Sequence, residues 1–113
     1  MVDFNCCPWI YYSDIQKINL LQRRIIIYSI IYYELNESVI SDKEFDEVSR
    51  QLVKLQKQNK KDLNKSEYFY CMKDFDGSTG FDLFSRLKEN DRVYLLHLSK
   101  YILNLYKQEG VRK

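Results

Sequence analysis

The sequence predicts a mostly α domain: a long helical hairpin and a C-terminal helix, with a short extended segment and a glycine turn between them. Three observations lead there. Glycine (3) and proline (1) are scarce in 113 residues, which favours long helices over many-turned sheets. Apolar residues recur in steps of three and four along three stretches. Two of those stretches open with Ser-x-x-Gln or Ser-x-x-Glu, the pattern of a capped helix start. Apolar residues make up 45% of the chain, enough for one small core, so residues 1–113 read as a single domain.

Residues 1–12 form an apolar N-terminal arm outside the helices, with Phe4, Pro8, Trp9, Ile10, Tyr11 and Tyr12. Ser13-Asp14-Ile15-Gln16 then caps a first helix expected over 14–35. Ile18, Leu21, Ile25, Tyr28, Tyr32 and Leu35 line one face, and Ile27 and Ile31 widen the stripe. Asn36-Glu37-Ser38 is a turn. Ser41-Asp42-Lys43-Glu44 repeats the capping pattern, and Phe45, Val48, Leu52 and Leu55 predict a second helix ending near Lys57. The two helices make an αα-hairpin over 13–57.

Residues 58–67 are polar and read as a linker. Tyr68 to Met72 is short and aromatic-rich, which suits a strand or an extended segment laid across the hairpin. DFDGSTG (74–80) is a tight glycine loop. Phe81, Phe84 and Leu87 suit a short helix. Asn90 is placed to cap a final helix from Asp91 to about Gln108, with a stripe of Leu95, Leu98, Ile102 and Leu105 flanked by Tyr94 and Tyr101. Gly110 is the expected stop, so the last unit spans 68–110.

Charge and cysteine usage narrow the function classes. With 18 basic and 16 acidic residues the net charge is +2, which neither mimics a nucleic acid nor argues strongly for binding one. Cys6, Cys7 and Cys71 cannot build a disulfide framework and are expected to be reduced thiols. No apolar run approaches the roughly 20 residues that cross a bilayer, and Asp3, Asn5 and Pro8 interrupt any signal peptide. The expected location is the cytoplasm, with no membrane partner.

The segment Tyr32-Tyr33, followed by Ile40-Ser41-Asp42-Lys43-Glu44-Phe45-Asp46 and then Leu52 and Leu55, carries a resemblance. It is similar to the small N-terminal Ia domain of bacterial NAD-dependent DNA ligases, whose pattern is an aromatic-His pair, a turn, I-[SP]-D-x-E-Y-D and a helix with spaced leucines. The likeness covers residues 18–57, about a third of the chain. The DFDGSTG segment resembles small stand-alone phage proteins related to that domain. In the ligases the domain grips the nicotinamide mononucleotide (NMN) half of NAD. The resemblance therefore implies a nicotinamide-nucleotide site at Tyr32, Tyr33, Asp42, Phe45 and Asp46. Two positions depart from the pattern: Tyr33 stands where the family has His, and Phe45 where it has Tyr, so each lacks a polar group the family uses.

The same carboxylates have an independent structural reading. Asp42 and Asp46 lie four apart at a helix start, where the N-terminus stabilises negative charge, and Asp46 is placed to bond a tyrosine hydroxyl of the facing helix. Ligase catalysis is not expected. The adenylated lysine belongs to a Lys-x-Asp-Gly motif, whereas Lys73-Asp74-Phe75-Asp76-Gly77 has one residue too many, with 36 residues after Gly77.

Other motifs reduce to simpler readings. Asp74-Phe75-Asp76-Gly77-Ser78 echoes a phosphatase D-x-D-G-[ST] loop, but that chemistry needs a doubly wound sheet for which the remaining chain is too short. A glycine turn with capping aspartates suffices. Cys6, Cys7, Cys71 and His97 lack zinc-ligand spacing and are read as small buried thiols and a helix-surface or boundary histidine. The stretch 50–65, including Lys60 and Lys61, is basic but lacks interleaved aromatics for stacking bases.

Ten tyrosines and six phenylalanines exceed what one small core needs, and exposed aromatics mark recognition surfaces. The leading expectation is thus a non-enzymatic, phage-type protein that docks on a host protein. A host defence nuclease such as a CRISPR effector is one concrete target, with Trp9, Tyr11, Tyr12, Lys60 and Lys61 as contact residues. The alternatives are a retained NMN- or NAD-binding module and a nucleic-acid accessory protein using the basic stretch. A homodimer is compatible with the same aromatic surplus.

Overall fold

The structure is a computed structural model that describes residues 13–72, Phe75 and residues 83–112. Among the described residues, five helices make up the architecture: α1 (Asp14–Ser29), α2 (Asp42–Gln58), α3 (Phe69–Met72), α4 (Leu83–Arg86) and α5 (Glu89–Arg112). A π-helical turn, Ile30–Glu34, continues α1, and a 3₁₀ turn, Leu63–Lys65, follows α2. No strand occurs among the described residues. No helix among them is long and apolar enough to cross a membrane.

Helix α1 is the central element and packs against α2, α4 and α5. Ile18, Leu21 and Gln22 are buried, and from Ile25 to Ile31 every residue is. A helix apolar on all sides must be surrounded, and the run of isoleucines at 25–27 and 30–31 meets that demand. Val48 and Leu52 of α2, Leu95, Ile102 and Leu103 of α5, and Leu83 and Leu87 near α4 complete the core.

The first two helix starts form where expected. Ser13 Oγ accepts from the Gln16 amide at 3.2 Å, and Gln16 Oε1 accepts from the Ser13 amide at 2.8 Å, closing the box. At α2 the Ser41 hydroxyl accepts from the Glu44 amide at 3.1 Å. Each such cap contributes about 1 kcal/mol.

Four elements differ from the sequence expectation. The first helix does not run as one α-helix to Leu35: its last turn, Ile30–Glu34, is π. Residues 68–72 are not extended, because Phe69–Met72 is a helical turn that buries Cys71 and Met72, with Tyr68 buried just before it. The polar stretch 58–67 is not a free linker, since Leu63 and Ser66 are buried within it. Finally, α5 starts at Glu89, so Asn90 lies inside the helix, and it continues through Gly110 to Arg112. A glycine costs a helix about 1 kcal/mol and does not forbid it.

Candidate functional site

The closed end of the hairpin holds a pocket of about 200 Å³. Its wall comes from three consecutive pieces of chain. The end of α1 and the π-turn supply Tyr28, Ser29, Tyr32 and Tyr33; the connection supplies Ser38 to Ser41; the first turns of α2 supply Asp42, Phe45 and Asp46. All five residues singled out from the sequence for a nucleotide site therefore line one cavity.

Local backbone chemistry explains why these residues converge. The π-turn adds a residue to the helical turn, a feature that recurs at functional sites, and it leaves Tyr32 and Tyr33 both exposed, at 54% and 43%. Their rings meet edge to face, with centroids 4.9 Å apart and planes at 80°. The helix then ends on Asn36, whose φ of 54° is left-handed. Asparagine tolerates that region better than most residues. The Glu37 amide donates to the Ile31 carbonyl at 3.0 Å, and Lys107 of α5 reaches Glu37 at 3.1 Å, which ties the turn to the C-terminal helix. Ser38 Oγ donates to the Ile40 carbonyl at 2.7 Å and shapes the entry to α2.

The polar groups of the wall are unevenly engaged. Tyr28 Oη accepts from Arg24 Nε at 3.3 Å and from Nη2 at 3.2 Å. Asp46 takes no hydrogen bond from a facing tyrosine among the described residues, which corrects the expected pairing. Ser29 Oγ is buried and has no hydrogen-bond partner among the described residues. Among those residues the wall contains two carboxylates and no lysine, arginine, histidine or cysteine. It offers aromatic surface, hydroxyls, acceptors and negative charge.

The remaining predicted residues lie elsewhere. Lys60 and Lys61 are exposed in the turn after α2, away from the pocket wall. His97 is exposed on α5. Trp9, Tyr11, Tyr12, Cys6, Cys7 and the DFDGSTG loop apart from Phe75 lie outside the described residues. No group of three potential metal ligands occurs among the described residues. Sequence reasoning missed Tyr28 and Ser29 in the wall. Both precede the tyrosine pair by about one helical turn, so the i−4 spacing from Tyr32 and Tyr33 was the available signal.

No protein-family model, no curated protein and no solved structure matches the chain.

Proposed function

We propose that this chain is a non-enzymatic binding module whose helical hairpin holds the nicotinamide end of a nucleotide such as NMN or NAD. The observation that carries the reading is the convergence of Tyr32, Tyr33, Asp42, Phe45 and Asp46 on one pocket. Size supports it. A cavity of roughly 150 Å³ accommodates a benzene ring, so about 200 Å³ suits one substituted heterocycle, with ribose and phosphate directed outward. Electron-rich tyrosine faces and two carboxylates favour a cationic ring such as a pyridinium.

The test is thermal unfolding with and without millimolar NMN and NAD, on the wild type and on Asp42→Ala/Asp46→Ala. A ligand at 100 times its Kd stabilises by about 2.7 kcal/mol, several degrees for a domain of this size. A shift present in the wild type and lost in the double variant supports the site. No shift in the wild type rejects it.

A second reading, docking on a protein partner such as a host nuclease, is favoured by a different observation. Tyr94 and Tyr101 are 53% and 56% exposed on α5 and lie two turns apart on one side. Alanine at either position should weaken such a complex by more than about 1 kcal/mol while leaving the nucleotide-induced shift intact.

A further inference from the structure

Buried helical serines ordinarily satisfy their hydroxyl by bonding back to the carbonyl four residues earlier. This chain contains such a case: Ser99, fully buried on α5, donates to the Leu95 carbonyl at 2.7 Å. Ser29 does not follow it. It is 3% exposed, its Oγ has no partner among the described residues, and it lines the pocket directly before the π-turn. An unpaired buried hydroxyl is costly, and here it belongs to a residue of the pocket wall. Ser49 on α2 is also unpaired, but it is not part of this wall.

We propose that Ser29 is the polar anchor of the pocket and that it selects a carboxamide over a carboxylate on the bound ring. The inference rests on the nicotinamide reading of the same site and adds a binding residue and a specificity to it. A serine hydroxyl donates one hydrogen bond and accepts others. A primary carboxamide offers both an N–H and a carbonyl, so either orientation pairs with Ser29. A ring carboxylate instead brings negative charge into a wall that already holds Asp42 and Asp46 and has no basic side chain among the described residues. The α2 N-terminus, which would attract an anion, is already countered by Asp42 in its first turn.

The experiment compares NMN with nicotinic acid mononucleotide, identical except for amide against acid, by calorimetric titration of the wild type, Ser29→Ala and Ser29→Cys, whose thiol is a weak hydrogen-bonding group. The wild type is expected to bind the amide at least tenfold more tightly than the acid. Ser29→Ala should lose about five- to tenfold in NMN affinity, corresponding to one hydrogen bond of roughly 1 kcal/mol, and Ser29→Cys should resemble it. The unliganded Ser29→Ala protein should melt at or above the wild-type temperature, because no bond is broken. Equal binding of amide and acid by the wild type overturns the selectivity. Undiminished NMN binding by Ser29→Ala overturns the anchor, its hydroxyl then being satisfied by water alone, and leaves the pocket reading standing. Failure of the wild type to bind either nucleotide removes both proposals.

Discussion

Gln22 and Gln56 meet in the core: Gln22 Nε2 donates to Gln56 Oε1 at 3.0 Å, and both residues are buried. Each amide then reaches past the hairpin. Gln22 Nε2 also donates to Ser66 Oγ at 3.2 Å, and Gln22 Oε1 accepts from the Tyr68 amide at 3.1 Å. Gln56 Nε2 donates to the Met72 carbonyl at 3.2 Å. Ser66 Oγ donates in turn to the Leu63 carbonyl at 2.7 Å. Two glutamines thereby fasten residues 63–72 across α1 and α2, beside the half-exposed Arg23–Glu67 pair at 3.1 Å.

Breaking this network strands buried polar groups, which costs more than the bonds themselves contribute. Gln56→Ala should lower the unfolding free energy by about 2–3 kcal/mol, as measured by urea denaturation. Hydrogen exchange at the Tyr68 amide should accelerate with it. Arg23→Ala, which removes only a half-exposed pair, should cost less than about 1 kcal/mol.

Adding polar groups to the pocket wall should strengthen it if it holds a nicotinamide ring. Phe45 lines it and is partly buried, so Phe45→Tyr adds a hydroxyl at the wall. Titration of Phe45→Tyr/Tyr33→His with NMN is expected to show about a two- to tenfold gain in affinity, the range of one net hydrogen bond. An unchanged affinity would show that those two positions do not contact the ligand, and a reduced one that the added groups do not fit it.

Alkaline pH should destabilise the fold through residues near the glutamine network. Burial pushes the Cys71 thiol up to about 11 from 9.0 and the Tyr68 hydroxyl up to about 12 from 10.0. Tyr70 moves in the same direction, through burial and then its hydrogen bond to Asp91. Raised folded values mean that this stability is fully present below about pH 9 and lost as pH climbs through about 11–12. The loss should be up to about 1.4 kcal/mol per pH unit for each group. Denaturation curves at about pH 7, 9 and 10.5 should therefore show a falling midpoint, and Cys71 should resist alkylation in the folded protein at about pH 8.

The turn at Asn36 gives a backbone test. Most L-residues lose roughly 1–2 kcal/mol in the left-handed region, and asparagine and glycine lose less. Asn36→Ala should lower the melting temperature by several degrees, and Asn36→Gly should leave it nearly unchanged.

How far the sequence discloses this fold depends on the range of each interaction. The hairpin is readable because Ser13, Gln16 and the three-four stripe are local signals, whereas the pocket residues are singled out by a resemblance and flank one short turn. The docking of 58–72 is not. Ser66 and Gln22 lie 44 residues apart, and a buried polar pair looks like surface in sequence. Tyr68, Cys71 and Met72 are spaced for a helical turn, but their aromatic neighbours suggest a strand. The π-turn escapes for another reason. One extra residue in a helix changes the phase of every residue beyond it, whereas the isoleucines around it are buried in either phase.

That extra residue has a consequence for how the gene can vary. Each residue advances an α-helix by about 100°, so the orientation of Tyr32 and Tyr33 depends on the count of residues before them as well as on their identity. A single in-frame codon deletion within 30–34 would let α1 continue as a regular helix while turning everything beyond it by more than a quarter of a revolution. The core, apolar on nearly every side at Ile25–Ile31, can absorb such a rotation, but the pocket mouth cannot. Tolerated lineages should accordingly show substitutions in this turn but constant length.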